Sequence, residues 1–264
     1  MVEEDRCIQN SMGLNNPGID LITKIVDRDL IQAHKKKLCV GISISETPGL
    51  EENSDKLEDV LYTFRSAYNA ADYVEINVSC PNTGHDRIDS QMDYLDQLMS
   101  QIMKIRKSQP IRKAVFAKLS PDMGEKHLHQ TLDIIQKHGL NGVILFNTFP
   151  GAKVKYLKLQ EELEPVTLDG ALGGISGRAL YINTVRAVAY IKQKYPGLCV
   201  IASGGVDHGA KIWDLFEAGA DAVQAYSVLG YRWFGPVKML KELEEVMREK
   251  GYTSLEEFFE QRFA

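Results

Sequence analysis

Six short apolar runs, each separated from the next by a helix-patterned stretch, restrict what this chain can fold into more than any other feature. The runs lie at 38–44, 73–79, 114–119, 142–147, 198–203 and 221–226. They are rich in branched and aromatic residues and too short to be buried helices, so they read as strands. Between them apolar residues recur at helical spacing, as in Ile19, Ile22, Ile25, Val26, Leu30 and Ala33, or Leu57, Val60, Leu61, Phe64 and Ala71. Further helices are expected at 90–106, 125–138, 179–194, 210–218 and 236–250. Pro236 opens the last of these and Gly251 follows its end; a short final helix begins at Thr253-Ser254, with Glu257 completing a capping box. Residues 6–18 read as loop, and 149–177 as a polar excursion. Strands joined by helices of this length form right-handed crossovers, so the fold class is α/β with a parallel sheet.

Length and charge narrow the partners. A chain of 264 residues, 44% hydrophobic, builds one substantial core. Its net charge of -5 argues against nucleic acid or an anionic membrane, both of which need a basic footprint. Four separated cysteines without a CxxC pair indicate reduced thiols, not disulfides or zinc, and the histidines lack metal-ligand spacing, so no metal is expected. No apolar run approaches the ~18 residues of a membrane helix, and the acidic start Met1 to Asp5 is not a signal peptide. The expectation is a soluble, cytoplasmic protein without a transmembrane segment.

In parallel barrels ligands bind at the carboxyl ends of the strands. Reading those ends gives Asn77 and Cys80, then Lys118, Asn147 and Thr148, Ser203-Gly204-Gly205, and Tyr226-Ser227. Cys80 sits on a turn set by Pro81 and flanked by Asn77 and Asn82. A thiol ionises near ~8.5, so a modest shift suits it to proton abstraction near neutrality. Lys118, inside an apolar run, needs a partner: either a neighbouring carboxylate or the electron-accepting part of a cofactor. The Gly204-Gly205 pair and the Ser227 hydroxyl after the next strand suit a phosphate. Asn10, Asn77, Asn82 and Asn147 supply neutral donors and acceptors for a planar, amide-rich ligand.

In order and spacing, Asn10-Ser11-Met12-Gly13-Leu14, Asn77-Val78-Ser79-Cys80-Pro81-Asn82, Lys118, Asn147-Thr148, Gly173-Gly174-Ile175-Ser176-Gly177, Ser203 to Val206 and Tyr226-Ser227 resemble the dihydroorotate dehydrogenase family over essentially the whole chain. The resemblance implies a (β/α)8 TIM barrel that binds FMN and oxidises dihydroorotate to orotate in pyrimidine (UMP) biosynthesis. It implies Cys80 as the base for the C5 proton. Asn10, Ser11, Met12, Gly13, Leu14, Asn77, Asn82, Asn147 and Thr148 would be substrate-binding positions. Asn77, Lys118, Phe146, Gly177, Gly204, Gly205, Tyr226 and Ser227 would be cofactor-binding positions, the last four around the phosphate.

A cysteine base resembles the soluble class, whereas Gly84-His85-Asp86 and Gly174 to Gly177 blend soluble and membrane-associated features. The electron acceptor is thus open among fumarate, NAD and quinone, and a homodimer is an open assembly. The family places two more strands before its Asn10-like motif, where nine residues stand here. The expectation is therefore a single barrel domain over 1–264, N-terminally shortened, with about six of eight strands and uncovered parallel edges. Two other readings stay open: a non-catalytic relative, and another FMN barrel such as a tRNA dihydrouridine synthase.

Overall fold

The structure, a computed structural model, describes residues 6–50, 53–78, 88–151, 167–168 and 171–263. In chain order the elements are β1 (Cys7–Asn10), α1 (Ile19–Lys35), β2 (Gly41–Ile44), α2 (Asn53–Ala70), β3 (Tyr73–Asn77), α3 (Ile88–Ser108), β4 (Ala114–Leu119), α4 (Glu125–His138) and β5 (Gly142–Leu145). There follow β6 (Thr167–Leu168), β7 (Ala171–Leu172), β8 (Gly174–Gly177), α5 (Tyr181–Lys194), β9 (Cys199–Ser203), α6 (Gly209–Ala218), β10 (Ala222–Gln224), α7 (Gly235–Glu249) and α8 (Leu255–Phe263). All six expected strands and the helices between them are present, so the α/β reading stands.

The chain divides into two compact units, one of residues 13–144 and one of 1–12 with 145–264. In the first, β2, β3, β4 and β5 lie in sequence order, with parallel ladders from β2 to β3 and from β3 to β4. Ile42, Ile44, Val74, Ile76, Val115, Ala117 and Leu119 are buried on one side of these strands, and α2 packs on β2 and β3. In the second unit β9 and β10 are parallel, and α5, α6 and α7 pack in succession. There α8 docks on α6 through Trp213 and Phe258, ring centroids 4.8 Å apart. Arg262 reinforces this by donating to the Gly219 carbonyl at 2.7 Å and to Asp221 at 2.9 Å.

The same device recurs at three strand starts. Asp72 donates its N–H to the Val40 carbonyl and accepts the Val40 N–H on its carboxylate, both at 2.7 Å. Asn141 does this to Val115, with both bonds at 3.0 Å, and Asp221 to Val200, with both at 2.8 Å. Each residue holds both the N–H and the carbonyl of one residue at the start of the preceding strand, which fixes the register of the ladder that follows.

Several local expectations are corrected. Residues 7–10 are not loop: β1 pairs antiparallel with β8, Cys7 opposite Gly177 and Asn10 opposite Gly174. Four residues carry too little alternation to announce a strand whose partner lies beyond residue 170. The strand expected from residue 38 starts at Gly41, because α1 ends with Lys37 in the left-handed region (φ 57°) and the Leu38 N–H returning to Ala33. Cys39 is consequently exposed instead of lying in a strand. Half of the capping box stands, with Ser254 Oγ accepting the Glu257 N–H, while the return bond shifts by one residue, Glu257 accepting the N–H of Thr253 in place of Ser254.

Asn141 tests the strand-start device, since its own side chain is exposed while Val115 is fully buried. Asn141→Ala strands the Val115 N–H and is expected to lower stability by about 1–3 kcal/mol, read as a lower urea midpoint with unchanged slope.

Candidate functional site

In the 13–144 unit, strand pleating puts alternate residues on opposite faces. Opposite the buried aliphatic face, register aligns Ser43 with Glu75 and Asn77 with Lys118. The Lys118 ammonium lies 3.2 Å from Glu75 Oε1, and the same oxygen accepts the Ser43 hydroxyl at 2.6 Å. Glu75 is 4% exposed, so the carboxylate partner that a lysine in this run requires is present. An ammonium has three donors, and this ion pair uses one of them. Asn77 and Lys118 thus share a rung at the carboxyl ends of β3 and β4.

In the second unit the β1–β8 pair gathers residues far apart in sequence. Phe149 exchanges both backbone hydrogen bonds with Ile175, at 2.8 and 2.7 Å, tying the segment after β5 to β8. Asn10 and Thr148 both flank the glycines of β8: a Cβ at Gly173 would strike the Asn10 carbonyl, and one at Gly174 the Thr148 hydroxyl. Asn147 accepts the Thr148 N–H at 2.8 Å, and Gly177 lies against the Arg6 carbonyl. Ser227 donates to Ser176 at 2.9 Å, joining the hydroxyl after β10 to the glycine-rich motif. Phe146 is buried, its N–H bonded to the Ser203 carbonyl. After β9, Gly204 and Gly205 adopt φ of 138° and 75°, and a Cβ on Gly205 would sit 2.7 Å from the Tyr181 nitrogen. Only glycine fits there without strain. The close approaches are to Tyr181 and Thr184, and the glycine conformations they impose are ones in which successive amides can line an anion-binding turn, so the residues present fit a phosphate group.

Beside this turn Asp207 is 1% exposed and held by the cations Lys211 at 2.7 Å and Arg6 at 3.5 Å, with the His208 ring nitrogen at 2.8 Å. Its carbonyl accepts from Arg232 at 2.6 Å. Burial pushes the carboxyl up, but hydrogen bonds and charge from Lys211 and His208 outweigh it and hold the group below the usual carboxylate value. A lowered folded-state value means stability fully present above the unfolded value near ~3.9 and lost as pH falls through the folded one. Asp207→Asn is expected to reduce stability at neutral pH and to flatten its decline below about pH 4, in urea titrations across pH.

Other site expectations are not gathered in this way. Ser11 and Met12 are exposed after β1, Gly13 and Leu14 are exposed at the start of the 13–144 unit, and Tyr226 is 81% exposed. Cys80 and Asn82 lie outside the described residues. Sequence reading passed over Glu75, Asp207 and Lys211. Glu75 was findable, standing two residues before Asn77 and therefore on the same strand face. No helix among the described residues is long and apolar enough to cross a membrane.

Residues 1–247 match the family model described as Dihydroorotate dehydrogenase. The chain is 36% identical over 238 residues to Dihydroorotate dehydrogenase (quinone) of Legionella pneumophila (strain Corby), covering 88% of this chain and 67% of the relative. It is 30% identical over 265 residues to the protein of that name from Bartonella tribocorum, covering 97% and 69%. Among solved structures, ligand-free DHODH from Eimeria tenella superposes with a TM-score of 0.81 at 22% identity, over 96% of this chain and 74% of that one. The ferulenol complex of DHODH from the same organism gives 0.77 at 23% identity, over 94% and 69%. The fold is the one those structures share, over the part the chain covers, and the chain belongs to the dihydroorotate dehydrogenase family.

Proposed function

We propose that the chain oxidises dihydroorotate to orotate, with Cys80 as the base that takes the C5 proton and FMN as the cofactor. The observation that carries this reading is the pairing of Asn77, three residues before Cys80, with Lys118 on the polar face of β3 and β4. Bound FMN would supply the acceptor for the hydride from C6. Lys118 would hold the electron-accepting edge of the cofactor with donors that Glu75 leaves free, keeping a positive charge where negative charge arrives. Gly204, Gly205, Tyr226 and Ser227 would hold the phosphate end, with Phe146 and Gly177 as further cofactor contacts. Asn10 to Leu14, Asn77, Asn82, Asn147 and Thr148 would be the substrate-binding positions, the asparagines meeting its amide and carbonyl groups. The quinone in the names of the relatives supports quinone as the electron acceptor.

The purified chain is expected to carry stoichiometric FMN, seen in its visible spectrum, and to bleach on anaerobic addition of dihydroorotate. Cys80→Ala should keep the flavin and slow bleaching by about 10²–10⁴-fold. A chain that retains no FMN, or a variant that bleaches at the wild-type rate, would overturn the reading. Lys118→Ala is expected to lower FMN content or slow reduction; unchanged values would leave Lys118 as the ion-pair partner of Glu75 alone.

A further inference from the structure

Lys211, on the first turn of α6, is engaged on three sides. Its ammonium lies 2.7 Å from Asp207 Oδ1, donates to the Gly205 carbonyl at 3.1 Å, and stands 4.7 Å from the centre of the Tyr181 ring. Three donors with three partners leave none for a ligand, so Lys211 does not itself ligate an anion. Its effect falls on the Gly205 peptide.

We propose that Lys211 is a positioning residue for the flavin phosphate, acting by locking the orientation of the Gly205–Val206 peptide. The inference rests on the reading that the Gly204-Gly205 turn takes the phosphate of FMN. A trans peptide points its N–H away from its C=O, so a carbonyl held by Lys211 aims the Val206 N–H the opposite way. Glycine at position 205, at φ 75°, has no Cβ to choose between the two orientations of this peptide. Lys211 makes that choice by a charge-assisted bond to one face.

The lysine is in turn held firmly. Asp207 is fixed by Arg6 and His208 at its carboxylate and by Arg232 at its carbonyl. Arg232 also pairs with Glu242 of α7, and Glu242 accepts the Gly209 N–H at 2.9 Å at the start of α6. Tyr181, at the start of α5, donates to Asp214 of α6, which keeps its ring beneath the ammonium. The turn is therefore braced from α5, α6 and α7, and amides aimed in advance bind an anion without reorganisation.

The test compares FMN with riboflavin, which lacks only the phosphate. The flavin-stripped protein is titrated with each, following flavin fluorescence. Wild type is expected to bind FMN more tightly; Lys211→Met, which keeps the stem on Tyr181 and removes the donors, should narrow the FMN to riboflavin ratio about tenfold while riboflavin affinity holds. Lys211→Arg should restore part of the ratio. Should Lys211→Met fail to fold, Asp207→Asn replaces it, and a narrowed ratio is again expected. An unchanged ratio in these variants, or an equal loss of both ligands, overturns the positioning role and leaves the phosphate site standing. A wild-type protein that does not distinguish FMN from riboflavin overturns the phosphate site and this inference with it.

Discussion

The double grip of a side chain and its own N–H on the N–H and carbonyl of one residue at the start of the preceding strand is the interaction on which the rest of each unit depends. It occurs at Asp72, Asn141 and Asp221. Parallel ladders are held by slanted, evenly spaced bonds, and nothing in an apolar strand prevents a slip along that ladder. A slip of one residue would move Ile42, Val74 and Val115 out of the core and Glu75 and Lys118 into it. Pinning one residue at the start of each strand disfavours that alternative. Two of the three gripping carboxylates have a further side-chain partner, the His34 ring nitrogen at Asp72 and the Lys192 ammonium at Asp221.

Given that register, the polar faces follow from the pleat. Ser43, Glu75 and Lys118 form one bonded set across three strands, built from residues that the ladder aligns. A buried carboxylate and ammonium together cost less than either alone. The consequence for chemistry is that Lys118 is anchored yet retains donors. In the second unit the equivalent organisation comes from an antiparallel pair, β1 with β8, which draws Asn10, Thr148 and the glycine-rich motif to one place and buries Cys7 with Phe149, Ile175, Ala179 and Leu180 behind them.

The two polar clusters differ in kind. Around Glu75 the charges balance one to one, within a sheet face. Around Asp207 cations outnumber the carboxylate, and their hydrogen bonds run to backbone carbonyls of the turn after β9. The first arrangement presents a side chain; the second shapes a backbone.

The sequence by itself determined the α/β class, the order of the six strands and their helices, and most strand-end residues of the candidate site, because those depend on periodicity and on polar residues placed where apolar runs stop. It also determined that Lys118 must meet a partner. Which partner, and where the strands truly begin, only the tertiary structure decided. Glu75 becomes the counter-charge through cross-strand register, Gly41 becomes the first residue of β2 because the end of α1 uses Leu38, and β1 exists only because β8 lies beside it. Asp207 and Lys211 sit in a polar stretch that a sequence reads as a turn followed by a helix; the Lys211 bond to the Gly205 carbonyl is local, but the Arg6, Arg232 and Tyr181 contacts that brace the pair come from distant parts of the chain. Local pattern carries information about local bonding, and these contacts join residues whose neighbours in sequence carry no trace of them.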